Sequence, residues 1–506
     1  MRRFLLIFVF PVFLLCFSCS SDDSGMNSTP NGSEIERPRG VISFLKDKNS
    51  SLSETVSSEQ IGDTSFIKVP LHANLKSLTA NYDIEGTDVR VDEVVQANNE
   101  TPNDFRNVVT YSYLGKDGET KKLYVKVSYD SKLPIAYLNT ENSAIVESRV
   151  NTIPGTIRFD GRKKFTSTTK KIEIRGRGNS TWTQPKKPYQ IEFEDKEKPL
   201  DLPNDKRWVL LANYSDKTML RNTVAFYMGE ESKLDWTPKS EFVEVLLNGK
   251  YIGTYQLTQK VEETSKRVEI GNDGYLLEVD FPDRITGEDV VFKVNGLNFK
   301  IEEPKNVVPG DSRYNYIQDY ITNFHNVLIS DDFLDIDRGY AEYIDLDSFV
   351  DWYLINEITK NNDAAFGSSV YMNLKPGKKL KMGPIWDFDI AMGNINYNGN
   401  ETIDGLYIRD NTVWFSRLFE DPEFVDRVKE RFAFFESKKD ALFEEIDKQA
   451  EYLEDAQGYN EFVWRTYGKR VWPNYVAFDT HQEEVDYLKD WLDQRFAWLS
   501  EAYSAM

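Results

Sequence analysis

With 506 residues the chain is too long for one small core, so two or three domains are expected. Its 83 acidic and 62 basic side chains leave a net charge of −21, which argues against nonspecific binding to nucleic acid. The two cysteines, Cys16 and Cys19, lie at the start, and the three histidines, His72, His325 and His481, are far apart, so no zinc-ligand spacing and no thiol catalyst is expected in the folded part.

The chain opens on Arg2-Arg3 and a nearly unbroken apolar run over residues 4–17. That run is too short and wrongly flanked for a membrane-spanning helix, and reads as a signal peptide over residues 1–18. Phe17-Ser18-Cys19 resembles a bacterial lipobox, with Cys19 as the lipidated first residue of the mature chain. Ser20-Ser21-Asp22-Asp23 is similar to the surface-export signals of Bacteroidetes-type lipoproteins. The expected location is a lipid anchor in the outer membrane; the other reading is an ordinary cleaved signal with an incidental cysteine. Residues 19–38, rich in Ser, Asn, Gly, Pro and Asp, read as a flexible tether.

Residues 39–131 alternate apolar and polar side chains in SFIKVPLHA, LTANYDI, NVVTYSYL and KLYVKVSY, with polar turns between them. Several short strands in so few residues predict an antiparallel, immunoglobulin-like sandwich. From residue 132 onward the pattern is α+β. IEIRGRGNSTW and KPYQIEF form a strand-loop-strand, and a helix is predicted over 217–228 after Ser215-Asp216. Asn248-Gly249 and Asn295-Gly296 mark hairpins. Helices are predicted from 311 to 327, 346 to 359, 413 to 451 in pieces, and 482 to 503.

The chemistry concentrates in NNDAAFGSSVYMNLKPGKKLKMGPIWDFDIAMGN, residues 361–394. Residues 369–374 read as a strand, Pro376-Gly377 as a turn and 380–385 as the returning strand. Asp363 precedes the hairpin while Asp387 and Asp389 follow it, so all three acids meet at one end. Clustered carboxylates repel unless a cation sits among them. The cluster alone suits either a metal-bound phosphate or the paired carboxylates of glycoside hydrolysis. In KKPYQIEF, strand alternation puts Lys186 on the polar face and Lys187 at the head of the apolar face. There Lys187 either pairs with an anion or snorkels to water. The loop Arg175-Gly176-Arg177-Gly178-Asn179-Ser180-Thr181 offers guanidiniums, hydroxyls and glycines that permit close backbone approach.

IRGRGNSTWTQPKKPYQIEF, RWVLLANYSDKTMLRN, LLNGKYIGTYQL, GYLLEVD and NDAAFGSSVYM…GPIWDFDIAMG occur in this order, and over about residues 132 to 500 the chain resembles the CotH kinase family. The resemblance implies an atypical protein-kinase-like fold with a β-rich and a helical lobe, over residues 132–506. It implies binding of ATP and Mg²⁺ and transfer of phosphate to Ser or Thr of a protein substrate. By the same resemblance Lys187 is the nucleotide-phosphate lysine, Asp363 the catalytic aspartate and Asp387 the metal ligand, with Arg177 and Asn179 in the nucleotide-binding block and Arg221-Asn222 in another. Ser368 stands where ordinary kinases place a metal-binding asparagine, a loss that Asp389 would cover. Helix 217–228 has no glutamate to pair with Lys187, which leaves Glu262 or Glu278. The competing expectations are a non-catalytic surface lipoprotein that binds glycan or matrix, and a carboxylate glycosidase.

Overall fold

The computed structural model describes residues 40–506. The signal, lipobox and tether readings lie outside the described residues. Among the described residues no helix is long and apolar enough to cross a membrane.

The first unit is rich in sheet, as its alternation predicts. Thr64–Val69 buries every second residue, and so does Val109–Leu114. A three-stranded and a six-stranded sheet share one core around Phe44, Phe105, Tyr111 and Leu123. One pairing is parallel, Thr64–Val69 against Thr120–Tyr129, so the unit is not purely antiparallel. It rests on the rest of the molecule through Leu71 beside Ile135, Leu246 and Tyr251, and through His72 stacked on Phe462 with ring centroids 3.7 Å apart.

The next strands form a closed barrel. Ile135–Thr140, Ile153–Asp160, Thr168–Gly176, Tyr189–Glu197, Asp205–Leu211, Lys250–Gln259 and Ser240–Leu247 follow one another around it. Every pairing is antiparallel except the closing one, where Ile135 faces Glu244 in a parallel ladder. Ile157, Phe159, Ile172, Ile174, Ile191, Phe193, Trp208 and Leu210 fill the interior from alternating positions. Asn248-Gly249 makes the expected hairpin, with φ of 52° and 80°, both in the left-handed region that Asn and Gly tolerate.

A separate five-stranded sheet follows, ordered Val291–Val294, Leu297–Glu303, Tyr275–Val279, Val370–Leu374, Lys381–Met382. It does not join the barrel. Its apolar side chains share one core with the helices, through Phe299, Leu277, Phe349, Trp352 and Phe415. The β-rich and helical parts are therefore not segregated as the sequence order suggests.

Three helices start within a residue of the predicted positions, each behind a capping side chain. Asp311 accepts from Tyr314 N at 2.7 Å to open Ser312–Leu328, and Asp345 accepts from Ser348 N at 2.9 Å to open Leu346–Ile358. Thr480 and Glu483 form a capping box at the start of His481–Ser504. The predicted helix 217–228 begins later, as Arg221–Glu230. Asp216 still satisfies its first turn, accepting from Arg221 N at 3.0 Å. A helix the periodicity did not announce, Glu454–Trp464, packs against Lys250–Gln259.

Candidate active site

The acid hairpin folds as read, with a shorter return. Met372 pairs with Met382 and Asn373 with Lys381. The ladder stops at Gly383-Pro384 because proline has no N–H to donate. The chain then runs free through Trp386-Asp387-Phe388-Asp389. Asp387 has a φ of 69°. A non-glycine residue held there costs of order 1–2 kcal/mol, so its surroundings must impose the shape.

They do so from both sides. Phe388 N donates to Asn222 Oδ1 at 3.0 Å, and Arg221 Nε donates to the Ala391 carbonyl at 3.1 Å. Met392 N donates to the Thr359 carbonyl at 2.7 Å. Arg221 is fully buried and ion-paired to Asp216 at 2.6 Å. Arg221-Asn222 is thus a clamp on the acidic loop. On the facing segment the Asp363 carbonyl accepts from Gly367 N at 3.0 Å and Ser368 N at 3.2 Å, while Asn362 Nδ2 donates to Asp363 Oδ1 at 3.1 Å.

Asp363, Asp387 and Asp389 all line one cleft of about 420 Å³ between the barrel mouth, the five-stranded sheet and the acidic loop. That volume suits a small organic ligand. Burial, then repulsion from Asp387, pushes the Asp363 carboxyl up to about 6. Burial and the charges of Asp387, Asp216 and Asp363 hold Asp389 well above the ordinary aspartate range. Glu278 and Asp280 line the same cleft. Burial and the neighbouring Glu302 and Asp280 lift Glu278 to about 8.

Basic and polar residues line the cleft too. Arg177 and Asn179 are among them, joined by Arg149 and Arg175. Arg149 donates to the Gly178 carbonyl at 2.8 Å, and Arg175 donates to Gln190 Oε1 at 3.0 Å and to the Arg149 carbonyl. Arg177 makes no side-chain hydrogen bond among the described residues and sits 5.7 Å from the Trp386 ring centroid. None of these arginines pairs with a carboxylate among the described residues. Burial and the nearby Arg177 charge lower Arg175 below the ordinary arginine range. Guanidiniums crowded without acids form an anion site.

Lys187 does not line the cleft. Its ammonium donates to the Trp182 carbonyl at 2.7 Å and lies 5.4 Å from that residue's ring centroid. The side chain that is fully buried is Lys186, which donates to Asn460 Oδ1 at 2.8 Å and to the Thr254 carbonyl. The parity argument fails because the ladder begins only at Tyr189, leaving both lysines on an irregular lead-in. Neither candidate glutamate reaches Lys187. Glu262 pairs with Arg207 at 3.0 Å and with Arg267, and Glu278 accepts from Tyr371 Oη at 2.8 Å. Accordingly, Arg177→Met is expected to weaken binding of inorganic tripolyphosphate at least tenfold, a loss of about 1.4 kcal/mol, whereas Lys187→Met changes it less than threefold. Calorimetric titration with tripolyphosphate would check this, and the reverse ranking would overturn it.

Ser368, at the position of the missing asparagine, is buried and accepts from Arg284, whose guanidinium lies 3.6 Å from Asp280. That hydroxyl is committed to holding Arg284 and Asp280 at the cleft edge. Asp280 and Arg284 carry no signal in the sequence; both follow strand Tyr275–Val279 and are brought in by the separate sheet. Arg175, named with Arg177 in the glycine-containing loop, does line the cleft.

Among the described residues no three histidine, cysteine or carboxylate side chains converge tightly enough to enclose a metal ion. Magnesium does not need such a cage: it takes one or two carboxylates and completes its shell with phosphate and water. Asp387 and Asp389, all-oxygen donors that repel one another, fit that class.

Comparison with known proteins agrees with this geometry at the level of family. The family model described as CotH kinase protein matches residues 174–499, well over half of the chain. Inner spore coat protein H of Bacillus subtilis (strain 168) is 23% identical over 258 residues, covering 50% of this chain and 67% of that protein. A crystal structure provisionally described as a glycoside hydrolase from Bacteroides thetaiotaomicron is 11% identical, covering 57% of this chain and 89% of its own, but its TM-score of 0.15 carries no argument. The match of the family model, which takes in the later barrel strands, the clamp and the acidic loop, makes this chain a member of the CotH kinase family.

Proposed function

We propose that the chain is a phosphotransferase that moves the γ-phosphoryl group of Mg-ATP to a serine or threonine hydroxyl of a protein substrate. One observation supports this above the others: Asp363, Asp387 and Asp389 line the same cleft as Arg149, Arg175 and Arg177, which have no carboxylate partner among the described residues. Such a cleft suits a polyanion together with a cation. Arg175 and Arg177 hold the phosphates, with Asn179 beside them. Asp387 and Asp389 would hold magnesium, which would neutralise charge on the β- and γ-phosphate oxygens when bound.

Asp363 orients the acceptor hydroxyl and takes its proton. As the acceptor oxygen bonds to the γ-phosphorus, the bond from phosphorus to the β,γ-bridging oxygen breaks. ADP leaves with that electron pair, and the phosphorylated acceptor departs. The raised Asp363 carboxyl is a stronger base than an ordinary aspartate, which favours this role.

Thermal shift with Mg-ATP followed by transfer of γ-³²P to a dephosphorylated serine-rich protein tests the proposal. With nucleotide at a hundredfold its Kd, stabilisation of about 2.7 kcal/mol is expected in the wild type. Asp387→Ala is expected to lose both the magnesium-dependent part of that shift and the transferred label. Equal labelling by the variant would refute the proposal, as would a wild type indifferent to Mg-ATP.

A further inference from the structure

Ser215 lines the cleft, yet its hydroxyl is buried and has no hydrogen-bond partner among the described residues. The residue is 1% exposed. An unpaired buried hydroxyl is costly, and native structures keep few of them. Here the backbone is pinned around it. The Ser215 carbonyl accepts from Asn394 Nδ2 at 3.1 Å and from Asn474 Nδ2 at 2.8 Å. The Asn394 amide also donates to the Asp389 carbonyl at 2.7 Å, so one side chain ties Ser215 to the acidic loop. Asn474 in turn donates to Asn394 Oδ1 at 2.8 Å and locks that amide.

The adjacent Asp216 is already engaged at both carboxylate oxygens. Its carboxylate is taken up by Arg221 at 2.6 Å, by Thr218 at 2.6 Å and by the helix N-terminus. Ser215 is the neighbour left without a partner. A hydroxyl is a hard, neutral oxygen donor of the kind magnesium accepts, and a Ser or Thr beside an Asp is a recurrent magnesium pair in nucleotide sites.

We propose that the Ser215 hydroxyl is a third protein ligand of the divalent cation, beside Asp387 and Asp389. The segment between the barrel and helix Arg221–Glu230 delivers it. This rests on the phosphotransferase reading of the same cleft. It gives the buried hydroxyl a partner and supplies a neutral oxygen where a third carboxylate would add repulsion.

The test is binding of Mn²⁺ to the full chain, with a nonhydrolysable ATP analogue present, read by electron paramagnetic resonance and calorimetry. Ser215→Ala is expected to weaken Mn²⁺ about tenfold. Its metal-free melting temperature should stay equal or rise, because an unpaired polar group has been removed. Ser215→Cys should weaken Mn²⁺ and tighten Cd²⁺, since a thiolate prefers the softer ion. Wild-type Mn²⁺ affinity in Ser215→Ala would overturn the assignment, and so would a lower metal-free melting temperature with affinity unchanged. Identical Mn²⁺ binding by the wild type and Asp387→Asn would overturn the phosphotransferase reading along with it.

Discussion

Asparagine at position 363 is expected to slow phosphoryl transfer about 10²–10⁴-fold while nucleotide affinity holds. The substitution keeps the shape of the side chain and removes only its capacity to take a proton. The same variant should be more stable than the wild type at neutral pH. Burial and Asp387 raise the folded carboxyl to about 6, above its value in the unfolded chain. The folded state thus holds a proton that the unfolded chain releases near pH 4. The stability this brings is complete below about pH 4 and is lost as pH rises through about 6. Relative to Asp363→Asn, the metal-free wild type should lose about 2 kcal/mol between pH 4 and 7. Single-turnover rates and a series of melting curves across that range would measure both effects. Parallel melting curves would show that Asp363 is not desolvated as described, and an unimpaired rate would remove it from the chemistry. A gain in stability joined to a loss of rate is what a site built for charge should show.

The second large effect is structural. Arg221→Met is expected to destabilise the protein by about 3–5 kcal/mol, because it leaves Asp216 buried without its cation. Arg221 and Asp216 are both fully buried, so solvent screens little of their interaction. The substitution also frees the Ala391 carbonyl, and with it the grip on Asp387 and Asp389. Nucleotide-dependent metal binding should therefore fall even at temperatures where the variant remains folded. Urea unfolding and Mn²⁺ titration would separate the two losses. Adding Asp216→Leu should recover much of the stability but not the metal affinity, since no guanidinium returns to the loop. Full recovery of metal affinity in the double variant would mean that Arg221 serves only its ion pair.

What could be read beforehand was local. Asn248-Gly249 and Asn295-Gly296 fold as turns because two successive left-handed residues suit few other pairs. The helix starts near 311, 346 and 482 follow from local periodicity, and the caps that fix them, Asp311, Asp345 and Thr480, reach only three residues ahead. The acidic corner followed from one hairpin. The barrel's closure did not, because the parallel pairing of Ile135 with Glu244 joins strands far apart in the chain and has no local signature. Lys187 was misplaced for a related reason. Alternation is a property of the ladder, and it cannot be extended onto residues the ladder does not include. Arg221 was noticed only as part of a sequence block; its task emerges when Asp216 and Ala391 are seen on either side of it.

The closing pair of the barrel sets an order of birth for the cleft. Ile135–Thr140 must wait, edge unpaired, until Ser240–Leu247 has left the ribosome. By then the arginines at the barrel mouth are already in the chain, while Asp363, Asp387 and Asp389 have yet to be made. For that interval the arginines of the barrel mouth exist without the three aspartates that share their cleft in the finished molecule.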